Sequence, residues 1–197
     1  MRVSKPLENT LPVVAETTYL AQAPVPPTPI FENSTLPVNY GLMSDLALAE
    51  CLWRSGFFTS ITSQHQAIAK MQMGKELGIG PVTALRELYV IQGRLAMSAT
   101  LMGAKIKSSG KYNYRITELT TQSCNIEFFE LGELVGSSAF NMDDAVRAGI
   151  AGKDNWKKWP KDMLFARALS AGARRYCPDI FLGGAYVPEE LGAEEYD

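Results

Sequence analysis

One stretch, Gly152–Gly184, constrains the fold more than any other: GKDNWKKWPKDMLFARALSAGARRYCPDIFLGG. Pro160 suits a first helical position, where its missing N–H is an orphan donor in any case. Pro178 cannot continue a helix begun upstream. The spacing predicts a helix from about Pro160 to Tyr176. At about 100° per residue, Phe165, Leu169, Gly172 and Tyr176 share one side, while Arg167 and Arg174, one heptad apart, share another. The stretch carries Lys153, Lys157, Lys158, Lys161, Arg167, Arg174 and Arg175 against only Asp154, Asp162 and Asp179. Two readings follow: an amphipathic helix with solvated charges, or a cationic surface with an anionic partner.

Charge along the chain bears on that choice more than the total does. The formal net charge is −2 over 197 residues. Residues 1–69 hold three bases and five acids, residues 70–182 sixteen and eleven, and residues 183–197 none and five. A basic body is thus concealed by acidic ends, a distribution that matters for an anionic partner. The length suits one domain with an arm.

Residues 1–37 hold seven of the eleven prolines and little apolar periodicity, predicting an extended or disordered arm. Apolar steps of three and four from Leu42 to Trp53 predict a helix ended by Gly56, and a second helix is expected over Ser63–Leu77. Leu88–Met97 reads as a hairpin turning at Gln92-Gly93. Ser98 then caps a helix through Ser109, and strands are expected over Tyr112–Thr120 and Cys124–Leu131. Asn141 caps a short helix through Ala148. This order predicts an α+β fold, a small antiparallel sheet and a hairpin packed against several helices. The globular body would span residues 38–184, and residues 185–197 read as an exposed acidic tail.

Several function classes lack their signatures. There is no Walker loop, dinucleotide fingerprint, HExxH or GxSxG. Asp143 and Asp144 are adjacent, so on a helix they diverge by about 100° and do not share a proton. His65 is the sole histidine and reads as structural or exposed. Cys51, Cys124 and Cys177 have neither disulfide-framework nor zinc spacing, in keeping with a reducing cytoplasm. No run reaches the roughly 20 apolar residues of a spanning helix. No catalytic residue and no required cofactor is expected. Basic residues interleaved with Trp156, Trp159 and Tyr176 suit nucleic acid, since such groups neutralise phosphates and stack on bases. The tryptophans suit a core equally well.

Three blocks resemble a known family. They are GKELGIGPVTALRELYVIQGRLAMSATLMGAKIKSSG at Gly74–Gly110, FNMDDAVRAGIAGKDNWKKWPKDMLFARALSAGARRYCPDIFLGG at Phe140–Gly184, and Tyr186-Val-Pro-Glu-Glu190. In order and spacing, over roughly Ser60 to Leu191, they are similar to the RecT family of phage single-strand annealing proteins, relatives of lambda Beta. The resemblance implies ATP-independent binding of single-stranded DNA, annealing of complementary strands, and an oligomeric ring or helical filament holding the new duplex in a bacterial host's cytoplasm. It implies a phage exonuclease as partner, with Mg²⁺ as no more than a DNA counterion. The chain stops soon after the matched blocks, which puts the family's link to host single-strand-binding protein in doubt. On this reading the phosphate ligands come from Lys105, Lys107, Lys111, Arg115, Lys153, Lys157, Lys158, Lys161, Arg167, Arg174 and Arg175, with Trp156 and Trp159 as stacking candidates. Arg167 and Arg174 carry a competing role, as bridges to an acid or a neighbouring subunit. An oligomeric scaffold without DNA chemistry is the alternative, and a nuclease would require clustered acids and a metal.

Overall fold

The computed structural model describes residues 40–182 and 186–192. The expected proline-rich arm and the last residues of the acidic tail lie outside them. Helices α1 (Tyr40–Arg54) and α2 (Gln64–Glu76) are followed by α3 (Pro81–Glu87) and a hairpin of β1 (Leu88–Ile91) and β2 (Arg94–Met97). Next come α4 (Ala99–Ser108), β3 (Tyr112–Leu119), β4 (Ser123–Glu130) and β5 (Glu133–Asn141). Then α5 (Met142–Arg147), α6 (Asp154–Lys158) and α7 (Pro160–Tyr176) lead to 3-10 turns at Pro178–Ile180 and Pro188–Leu191. The architecture is α+β, with one two-stranded and one three-stranded antiparallel sheet.

Local chemistry sets most boundaries. Ser63 and Ser98 accept the backbone N–H of Gln66 and Leu101, capping α2 and α4. Asn141 and Asp144 form a capping box at the start of α5. In the hairpin, Gln92 and Gly93 take φ of 51° and 74°, the left-handed pair of a tight two-residue turn. Pro160 opens α7 as expected, and the helix ends at Tyr176, before Cys177 and Pro178.

Helix α7 packs on β4 and β5, with α4 beside it. Leu164, Ala168, Leu169 and Ala173 are wholly buried, and Phe128, Ile126 and Cys124 meet them from β4. The contact is close because Gly172 has no side chain: a β-carbon there would sit 2.1 Å from the Phe128 ring. Phe128 in turn stacks, tilted, on Tyr176 at 5.4 Å. A second, smaller core joins Ala49, Ile61, Ala67, Met71 and Leu85.

The sequence pattern predicts two strands after Gly110, and the structure has three. Strand β5 lacks an apolar alternation because two of its core-facing positions, Gly136 and Ser138, lie directly beneath α7. Among the described residues no strand pairs with the outer edges of β3 and β5. The stretch Val187–Leu191 also departs from expectation: it is docked, not exposed. Val187 and Pro188 are buried, and the Tyr186 carbonyl accepts the Met97 N–H at 2.9 Å. A Val-Pro pair meeting an open hairpin edge gains apolar burial that the surrounding acids conceal in composition.

The cysteines divide by burial. Burial pushes the Cys177 thiol up to about 12 and the Cys124 thiol up to about 11, with Asp179 and Glu118 as lesser causes. Cys51 is exposed. Native protein treated with iodoacetamide at mildly alkaline pH should therefore gain a single adduct, at Cys51, by mass spectrometry. Modification of Cys177 before unfolding would contradict this packing.

Candidate nucleic-acid interface

The eleven basic residues singled out in the sequence fall into separate environments. At the junction of α6 and α7, Lys157, Lys158, Trp159 and Lys161 are all exposed, and Trp159 keeps 63% of its surface accessible. The chain turns sharply here because Trp159 ends α6 with φ −132° and ψ 54° while Pro160 opens α7. That bend holds an indole outside the core between lysines. Thr121, from the turn joining β3 and β4, completes a cleft of about 230 Å³ with Lys158, Trp159 and Lys161. Asp154 approaches Lys158 at only 4.0 Å, and both are well exposed, so the lysine charge stays available.

A second group lines a cleft of about 730 Å³ where α4 meets β3. Lys107 lies over the Tyr114 ring at 4.7 Å and Arg115 over Phe129 at 5.7 Å. Lys111 lies over Tyr112 at 4.5 Å and is also bound to Asp179 at 2.9 Å and Glu130 at 3.1 Å. Hydrogen bonds to Tyr112, Asp179 and Glu130 raise its ammonium above the usual lysine value. Lys111 is thus internally matched, while Lys107 and Arg115 remain exposed on aromatic faces. The two clefts adjoin opposite ends of α7, which at about 1.5 Å per residue are about 25 Å apart. Asp179 follows its C-terminus and Lys161 lies in its first turn.

Arg167 and Arg174 do not form a free cationic stripe. Glu190, from the docked C-terminal turn, accepts Arg174 Nη1 at 2.7 Å and lies 3.7 Å from Arg167 Nη1. The Ser170 hydroxyl donates to Glu190 at 2.7 Å, and Arg174 also donates to Ser170. Arg167 covers Phe140 at 5.2 Å, and Arg174 covers Tyr186 at 4.6 Å. The competing role of these arginines, bridging to an acid, is the one realised. Glu189 beside them is pushed above the usual carboxylate range, chiefly by burial. Nothing in the composition of the tail marks Glu190 as a core ligand; the only signal is its spacing after the apolar Val187-Pro188.

The remaining residues separate by burial. Lys105 donates to the Leu77 carbonyl at the end of α2, and burial lowers its ammonium below the ordinary value. It caps a helix and does not belong to an open surface. Lys153 is half-buried ahead of α6, and Arg175 is exposed. Trp156, a stacking candidate by sequence, is instead core. It is 1% exposed and packs against Phe140 with ring centroids 6.1 Å apart, so its face is unavailable to a base.

Among the described residues no group of His, Cys, Asp and Glu could hold a metal ion, and no helix is long and apolar enough to cross a membrane. No family model, no curated protein and no solved structure matches this chain.

Proposed function

We propose that this chain is a RecT-like single-strand annealing protein: it binds single-stranded DNA through phosphates, without ATP or covalent catalysis, and pairs it with a complementary strand. The observation that carries the reading is the α6–α7 junction, where one largely exposed indole stands among Lys157, Lys158 and Lys161. An aromatic face with flanking ammonium groups is suited to a single strand, whose bases stack without sequence preference. Annealing itself demands little chemistry. Base pairing supplies discrimination, and the protein lowers repulsion between two polyanions by contacting backbones and leaving pairing edges free. Lys107 and Arg115 extend the cationic surface at the other end of α7. Assembly into a ring or filament, a phage exonuclease supplying single strands, host single-strand-binding protein and a cytoplasmic setting belong to the same proposal.

The test is the double variant Lys157→Ala with Lys158→Ala. Oligonucleotide binding should weaken to a similar degree for unrelated sequences, and the slope of log K against log salt should shrink by about 1.4 for the pair. Unchanged affinity and slope would remove the junction from the interface. Absence of any DNA binding at low salt would favour a scaffold, for which the exposed Leu131, Leu134 and Val146 offer contact surface.

A further inference from the structure

Lys70 is an anomaly among the lysines. It sits on α2, is only 8% exposed, and has no carboxylate partner among the described residues. Its Nζ donates to the Leu85 carbonyl at 3.3 Å and lies 5.5 Å from the centroid of the Tyr89 ring. An ammonium has three donors, and a buried cation without a counter-charge is costly to hold. Burial lowers its pKa, with no charged neighbour among the causes.

The surroundings of Lys70 indicate what would offset that cost. It lines a cleft of about 550 Å³ between α2 and β1. Ala69, Met73, Val90 and Ile91 supply apolar wall, and His65 and Gln66 stand at the rim. One buried cation in a mostly apolar cleft has the composition of a small-ligand site, in which a few polar groups orient an apolar body. A phosphoryl dianion is a poorer match, since its two charges favour more than one strong cation and Lys70 is the single lysine or arginine of a lining that otherwise offers Ser60, His65, Gln66 and Tyr89. A monocarboxylate needs one strong donor and gains from burying its hydrocarbon.

We propose that the Lys70 cleft binds a carboxylate carried on a compact apolar body, either a small free acid or the C-terminal residue of a peptide. The carboxylate pairs with Lys70 Nζ, and the hydrocarbon lies against Met73, Val90 and Ile91. This site is independent of the DNA reading, since none of the basic residues of that interface lines it.

The test titrates full-length wild-type protein, by calorimetry or heteronuclear NMR, with N-acetyl-leucine and with its amide. The acid should bind, shifting resonances of α2 and β1, and the amide should bind at least about tenfold more weakly. Val90→Trp fills the cleft from an exposed strand position while leaving Lys70 itself unchanged and should abolish binding. Lys70→Met should do the same; should that variant fail to fold, the acid–amide comparison on wild-type protein still decides. A short peptide ending in leucine binding more tightly than the free acid assigns the site to chain ends, and the reverse order to small acids. Equal affinity for acid and amide, tighter binding of phenyl phosphate, or no binding of N-acetyl-leucine at about 10 mM would overturn the proposal.

Discussion

Replacing Gly172 with alanine is expected to lower the unfolding free energy by about 3 kcal/mol, the upper part of the overpacking range. Two effects oppose each other. Alanine is the better helix former by about 1 kcal/mol, so an exposed mid-helix glycine would gain from the change. Here the added carbon meets the Phe128 ring at 2.1 and 2.2 Å and the Ser138 β-carbon at 3.0 Å. The ring cannot swing aside freely, because Phe128 is fully buried and bounded by Tyr176. Overpacking should therefore win, and urea unfolding measures it. Phe128→Leu, made together with Gly172→Ala, should cost less than the two changes summed, since the smaller side chain vacates the contested space. A stabilising Gly172→Ala would contradict the close approach of α7 to β4.

The two tryptophans flanking Lys157 and Lys158 should respond in opposite ways to the same substitution. Trp156→Ala is expected to cost about 4 kcal/mol, because a wholly buried indole leaves a cavity that its neighbours refill only in part. Trp159→Ala should change stability by less than about 0.5 kcal/mol, as for most exposed sites. On the annealing proposal, the DNA response is the mirror image: Trp159→Ala should weaken oligonucleotide binding by about 1–3 kcal/mol per stacked base lost. Trp156→Phe refines the first result. The Trp156 Nε1 atom is buried with no hydrogen-bond partner, so phenylalanine removes an unsatisfied donor as well as volume and should be far milder than alanine. Thermal unfolding and fluorescence-anisotropy titration on the three variants separate these outcomes. Loss of stability at Trp159 with none at Trp156 would reverse the burial assignment.

Legibility in the sequence followed the locality of the signal. Pro160, Ser63, Ser98 and Asn141 act within one helical turn, so α7, α2, α4 and α5 begin where their caps predict. The Gln92-Gly93 hairpin has the same local character. What escaped was set by distant partners. Strand β5 has small residues at Gly136 and Ser138 because α7 lies against them, a constraint visible only once Tyr176 and Gly172 are known to approach those positions. Helices α3 and α6 are too short to establish a period. In the candidate interface, basic residues were easy to enumerate and hard to rank, since composition does not distinguish a solvated charge from a matched one. Lys157 and Lys161 remain exposed. Lys111 meets Glu130 and Asp179, whereas Arg167 and Arg174 meet Glu190.

The three-stranded sheet is an unfinished one, with both lateral margins bearing backbone groups that no described strand pairs. Its margins are guarded unequally. Both edge strands carry a register shift, between Ile116 and Glu118 in β3 and between Leu134 and Gly136 in β5, and along β3 Arg115 and Glu118 also place charge beside the open edge. Along β5, Leu134 and Val135 stand exposed and only Glu133 precedes them, with Ser137 and Ala139 beyond. A strand approaching from solvent would meet less electrostatic resistance at β5. Sideways growth of the sheet, wherever it occurs, is therefore directional.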